Sequence, residues 1–352
     1  MESVQSILKQ AAEEQASDLF IIAGGPVCEK LGVRVRPIGD ERVTPEESER
    51  LIGAVYALAG RPIDGFRGRG DDDFSFSVAG LARFRVNAYR QRGSMAAVIR
   101  VVAFDIPDWR DLGIPAQVME LSGVQHGMVL VTGTAGSGKS TTQACVIDQI
   151  NRTRESHIIT LEDPIEYLHR DQKSIVSQRE MAIDTQDYPS ALRACLRQAP
   201  DVILLGEMRD QATIHTAMTA AETGHLLIAT LHTKGAVNTI DRIVDTFPSG
   251  QQDQVRVQLS MVLHTVVSQQ LVPDMEGGLV PAFEIMHVNS AIRSLIRDSK
   301  THQIDNAITA GSAEGMVSMD QSLLALYKAN RISKDTAMSF SDNPDQMRRR
   351  LG

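Results

Sequence analysis

The chain has 352 residues, 42% of them apolar and 23% charged, the composition of an ordinary globular protein long enough for two hydrophobic cores. Its 36 basic against 44 acidic side chains leave a net charge of −8, and an acidic surface repels phosphate backbones, which argues against nucleic acid as a partner. Cys28, Cys145 and Cys195 are too few and too scattered for a disulfide framework or a four-cysteine zinc site. With no secretory leader and no apolar run long enough to cross a bilayer, the expected location is cytoplasmic, with a membrane reached only through partners.

Near the N-terminus, Val4, Ile7, Leu8, Ala11 and Ala12 follow helical spacing, and SDLFIIAGG reads as a buried strand. In TPEESERLIGAVYALAG, Thr44 is the expected N-cap, Pro45 the first helical residue, Glu47 the closing half of a capping box and Gly60 the stop. Three strand-like stretches, FSFSV, ARFRVNAYRQR and MAAVIRVV, complete a small α+β domain over residues 1–104. The segment AFDIPDWRDLGIP breaks both periodicities, which predicts a linker over 105–115. Apolar strands MVLVTG, HIITLED, DVILLGE and LLIATLHT then alternate with helical stretches, the pattern of a parallel sheet covered by helices. This core is expected over 116–288. Beyond Pro248 the chain reads as mostly helical apart from a strand at LVPAFEIM, with a helical region over 289–352.

GTAGSGKS, residues 133–140, fits the spacing of a phosphate-binding loop and lies between a strand and a helix, the context such a loop requires. Gly133, Gly136 and Gly138 let the backbone bend so that successive N–H groups face phosphate oxygens. The helix behind them adds its positive end. Thr134 and Ala135 need supply only backbone, and Ser137 and Thr141 complete the candidate nucleotide contacts. Lys139 is expected on the β- and γ-phosphates and Ser140 on Mg²⁺. Two further strands end in acids: Glu162, Asp163 and Glu166 after one, Glu207 after the other. A carboxylate at a C-terminal strand end of such a sheet can orient the attacking water or hold the metal, and the residues alone do not divide these roles among the four. His225 and His232 bracket another apolar strand seven residues apart, on opposite faces of it. A shared metal is therefore not expected, and His232, at the C-terminal end, is the better phosphate sensor.

Taken in order, GTAGSGKST, TLEDPIE, DVILLGEMRD and AETGHLLIATLHT resemble the Walker A, Asp-box, Walker B and His-box motifs of the secretion-ATPase superfamily. The likeness is greatest to its type IV pilus retraction ATPases, of the PilT and PilU kind, and runs from ASDLFI to DNPDQMRRRL. It implies a small PAS-like N-terminal α+β domain, a RecA-like P-loop ATPase core, a helical C-terminal extension and a homohexameric ring. It further implies ATP and Mg²⁺ as cofactors, Glu166 polarising the attacking water, Glu207 supporting the metal and His232 reading the nucleotide state. Arginines of the N-terminal domain or of a neighbouring subunit are implied at the phosphates, and here the candidates are Arg83, Arg85 and Arg100. The work implied is pilus retraction and twitching motility, against an inner-membrane platform protein at the inner face of the cell membrane.

Three features refine that likeness. The family's retraction members carry AIRNLIRE, and AIRSLIRD at 291–298 stands at the matching place, with Ile292, Leu295 and Ile296 on one helical face. Assembly ATPases of the superfamily carry a tetracysteine module and a long extra N-terminal region. The three cysteines and the start of the chain therefore favour retraction. Glu29-Lys30 stands where the family commonly has an arginine. Two other classes of function compete. A nucleotide-dependent regulatory subunit of the machine would need the cradle and not the acids. A nucleic-acid translocase would sit poorly with the net charge.

Overall fold

The computed structural model describes residues 3–32, 34–102 and 106–351. They divide into two compact units: Met1–Asp105 with Glu166–Leu168, and Ile106–Ile165 with His169–Gly352. The boundary expected at residues 104–105 lies outside the described residues.

The first unit runs α1 (Val4–Glu13), β1 (Asp18–Ile22), β2 (Cys28–Leu31), β3 (Arg34–Pro37), α2 (Pro45–Leu58), α3 (Asp64–Arg69), β4 (Asp71–Val78), β5 (Ala82–Gln91) and β6 (Ser94–Val102). Its antiparallel sheet has the order β3-β2-β1-β6-β5-β4. The predicted capping box is present: Thr44 accepts from the Glu47 N–H and Glu47 reaches back to Thr44, with Pro45 at the first helical position. Leu8, Leu51, Ile52 and Val55 of the helices pack with Leu19, Ile21, Phe84, Val86 and Ile99 of the strands in one core. The alternate residues of the same strands, Arg83, Arg85 and Asn87 among them, line the opposite sheet face, as a period of two requires. Strands β2 and β3 and helix α3 were not expected from the sequence.

The second unit runs α4 (Ala116–Met119), β7 (Gly127–Thr132), α5 (Lys139–Thr153), β8 (His157–Glu162), β9 (Ile175–Glu180), α6 (Tyr188–Cys195), β10 (Val202–Leu205), α7 (Gln211–Glu222) and β11 (Leu226–Leu231). It continues through α8 (Ala236–Asp245), α9 (Ser249–Val262), β12 (Leu263–Pro273), β13 (Leu279–His287), α10 (Ser290–Arg297), α11 (Ile304–Ala310), α12 (Met319–Lys328), α13 (Lys334–Phe340) and α14 (Pro344–Leu351). The sheet order is β13-β12-β7-β11-β10-β8-β9, parallel throughout except for the β12–β13 pair. Its central strands are buried on both faces, Leu130, Ile203 and Leu227 packing into one core and Val129, Val202 and Ile228 into the other. Such strands read as near-continuous apolar runs, which is why they were predictable.

Beyond Pro248 the chain is mostly helical with a strand at LVPAFEIM, as expected, but a further strand, β12, precedes that one and was not expected. β12 is an eleven-residue strand, and its buried Ser268, Gln269 and Gln270 hide the apolar signal. Strand β9 was also unexpected, an edge strand whose IVSQRE sequence is mostly half-buried. Among the described residues no helix is long and apolar enough to cross a membrane.

Candidate nucleotide-binding site

Strand β7 is buried along its whole length and delivers the chain into the glycine-rich loop at Gly133. Gly133 has φ 144°, and a Cβ there would lie 2.3 Å from the carbonyl oxygen of Gln269 and 2.6 Å from Ser137 Oγ. No side chain fits that space. Gly138 caps α5 at φ 88°, with Gln269 Nε2 only 2.8 Å from where its Cβ would be. Thr142 Oγ1 donates to Gln269 Oε1 at 2.7 Å, so β12 braces the loop from beneath. Neither Gln269 nor Thr142 was singled out from the sequence, where the polar run Ser268-Gln269-Gln270 hides the strand that carries the glutamine.

Lys139 is 7% exposed and donates to the carbonyls of Gly133, at 3.0 Å, and Thr134, at 2.8 Å. Burial holds its ammonium below the ordinary lysine value, and the negative charge of Glu207 works in the other direction. Ser137 Oγ is buried without a hydrogen-bond partner, a group that a ligand in the cradle would satisfy. Thr134, Ala135, Gly136 and Ser140 are exposed, and Thr141 is half-buried.

At the neighbouring strand ends, Glu207 follows β10 and is 8% exposed. Arg209 Nη2 lies 2.5 Å from Glu207 Oε1, and His232 Nε2 lies 3.4 Å from Oε2. Oε2 itself is buried with no hydrogen bond. A buried, unsatisfied carboxylate oxygen suits a cation or its water, so this carboxylate fits the metal-supporting role expected of it. His232 is exposed just past β11, while His225, at the other end of that strand, bonds Thr223 and the Ala220 carbonyl. The two histidines are separated as expected. Among the described residues no group of three His, Cys, Asp or Glu is arranged to hold a metal ion.

Glu162 accepts from Thr160 Oγ1 at 2.6 Å and from Gln178 Nε2 at 3.2 Å, so its carboxylate is already engaged. Asp163 and Glu166 are exposed. Tyr188, missed in the sequence, lies among these acids. Its phenol is pushed up first by burial and then by the charges of Asp163, Glu207 and Glu162, and its hydroxyl would be 2.8 Å from a Cβ at Gly206. It therefore stays protonated and remains a donor.

In the first unit, Arg83 and Arg85 are two apart on β5 and share a sheet face, and Arg85 is paired directly with Arg100 of β6. Arg100 Nε donates to Asp18 Oδ1 at 3.0 Å, and Arg83 Nη1 lies 3.5 Å from Ser77 Oγ. The three guanidinium groups are thus gathered on one face.

A strand, a glycine loop with a buried lysine, and carboxylates at adjacent parallel strand ends define a P-loop nucleotide-binding protein. The type II/IV secretion system protein family matches residues 1–334, and the chain belongs to that family. It is 42% identical over 343 residues, covering 97% of this chain and 99% of the other, to the type IV pilus retraction ATPase PilT of Pseudomonas aeruginosa. It is 41% identical over 346 residues to a twitching motility protein of Neisseria gonorrhoeae, covering 98% and 92%. A crystal structure of the pilus retraction motor PilT with bound ADP superposes with a TM-score of 0.89 at 45% identity, covering 99% of this chain and all of that one. The expected fold is borne out: α/β, an N-terminal domain with a RecA-like one.

Proposed function

We propose that this chain is the Mg²⁺-dependent ATPase motor of type IV pilus retraction, driving twitching motility as a homohexamer. Its place is the cytoplasmic, inner face of the cell membrane, where it acts on an inner-membrane platform protein. One observation carries the catalytic reading: a buried lysine held inside a glycine cradle, electrostatically coupled to a buried glutamate with an unsatisfied oxygen.

Residues 133–141 bind the triphosphate, with Lys139 released from its carbonyl partners to the β- and γ-phosphates. Ser140 and Glu207 would hold the metal. Mg²⁺, when bound, offsets the charge on the β- and γ-phosphate oxygens. Glu166 orients the attacking water and takes its proton, His232 reads the phosphate through Glu207, and Arg83, Arg85 and Arg100 approach the phosphates within the ring. Residues 1–104 serve as the arginine-bearing domain, 105–115 as the linker, 116–288 as the motor core and 289–352 as the transmitting region.

Helix α10 supports that last assignment. Ile292 and Ile296 are fully buried and Leu295 partly, while Arg293 and Arg297 face solvent. The buried face fastens the helix to the motor core and leaves a basic face for a partner. Two measurements test the function together. Phosphate release by the purified chain should require Mg²⁺ and stop with EDTA, and cells lacking the protein should extend pili that no longer retract. Metal-independent turnover or normal retraction would contradict the proposal.

A further inference from the structure

The segment that carries Glu166, residues 163–174 between β8 and β9, contains no helix or strand. A stretch of that length is ordered only if side chains hold it, since each free residue retains about 1–2 kcal/mol of backbone entropy that ordering removes. The holds are visible. Immediately before Glu166, the N–H of Ile165 donates to Glu180 Oε2 at 3.1 Å. Shortly after it, the N–H of His169 donates to Gln178 Oε1 at 2.8 Å.

Gln178 and Glu180 are two apart on β9 and therefore share a side of the strand. They pair in register with Thr160 and Glu162 of β8. The amide of Gln178 is used at both ends, its Nε2 donating to Glu162 Oε1 at 3.2 Å while its oxygen takes the His169 N–H. That arrangement fixes the orientation of the amide, because a reversed group would place NH₂ against N–H and oxygen against carboxylate. Glu180 is 4% exposed, and its own N–H is held by Asp184 Oδ2 at 2.8 Å.

The distal part of the segment is fastened to the phosphate-binding helix. Asn151, in the last turns of α5 and fully buried, donates to the Arg170 carbonyl at 2.7 Å and accepts the Gln172 N–H at 3.1 Å. Its carbonyl receives the N–H groups of Lys173 and Ser174. The segment is thus tied at one end to the helix that begins at Lys139, and around Glu166 to two polar side chains of an edge strand.

We propose that Gln178 and Glu180 are positioning residues for hydrolysis: by fixing the main chain on both sides of Glu166 they set where its carboxylate stands. Both lie on β9, outside the glycine loop. The inference rests on the reading of Glu166 as the residue that activates water. Misplacing a catalytic group by about 1 Å costs on the order of 100-fold in rate, and removing one flanking hold permits a shift of that size.

The test uses the full-length chain with Q178A, E180A, E180Q and E166Q, measuring kcat and KM for ATP together with Tm. Q178A and E180A should lower kcat by about 10- to 100-fold with KM for ATP within about twofold, because the cradle is untouched. E180Q keeps an acceptor oxygen for the Ile165 N–H and should recover most of the rate. Q178A, at a half-buried position, supplies the answer if E180A does not fold. Wild-type kcat in Q178A and E180A alongside a dead E166Q would overturn the positioning role alone, as would an equal loss of kcat and of ATP affinity. Wild-type turnover by E166Q would instead remove the reading beneath it.

Discussion

Thr142 and Gln269 share a buried 2.7 Å hydrogen bond that joins the first turn of the phosphate-binding helix to the middle of β12. Beside it, the Gln269 carbonyl and amide fill the space a side chain would need at Gly133 and Gly138. The loop is therefore shaped from below by one residue. Q269L leaves the Thr142 hydroxyl unsatisfied, which costs about 1–3 kcal/mol, and removes the floor under Gly138. The expected outcome is a loss of ADP affinity of about tenfold, roughly 1.4 kcal/mol, with a lowered Tm. Calorimetric titration with ADP reads the first and a thermal melt the second.

Arg85 stands across from Arg100 in the β5–β6 ladder, and like charges placed directly opposite destabilise a sheet by about 0.2–1 kcal/mol. Asp18 offsets one of them. R85A should therefore leave Tm unchanged or slightly raised while cutting ATP turnover at least about tenfold, since a well-placed arginine is worth roughly 10³–10⁵ in phosphoryl transfer. Opposite signs in the two readouts separate a phosphate-binding arginine from a structural one.

Glu284 is 4% exposed and accepts the Ala236 N–H at 2.7 Å. Burial, helped by Asp342 and Asp305 and opposed by the backbone N–H groups, pushes its carboxyl up from 4.5 to about 7. The folded state then binds more protons than the unfolded chain between these values. Stability contributed by this group is full below about pH 4.5 and is lost as pH rises through 7. E284Q, measured by urea denaturation against wild type across pH 5 to 8, should remove a fall on the order of 3 kcal/mol.

On α10 the two faces predict different failures. I296A empties a fully buried site and should destabilise by about 2–5 kcal/mol. R293E with R297E alters only the exposed face, and should leave Tm unchanged and ATP turnover within about twofold of wild type while abolishing retraction in cells. Retained retraction would detach the helix from the transmitting role.

How much of this could be read in advance follows from where polar groups sit. The capping box at Thr44 and Glu47, the cradle after β7 and the acid-tipped strands were legible because each has a local pattern with a local cause. Strands β8, β10 and β11 were legible because both faces are buried. Strand β12 was not, since Ser268, Gln269 and Gln270 interrupt its apolar run, Gln269 serving the loop and Ser268 the start of α8. β9 was missed for a related reason: Gln178 and Glu180 face a structureless segment rather than a core. Tyr188 lies among acids from other parts of the chain, Asp163, Glu207 and Glu162, and no short window of sequence shows that.

The account turns on the division of labour between a loop that grips and a glutamate that hydrolyses, and E166Q tests it most directly. The purified variant should bind a fluorescent ATP analogue with wild-type affinity yet release phosphate at least about 100-fold more slowly. Wild-type phosphate release by that variant, measured in the same preparation, would contradict it.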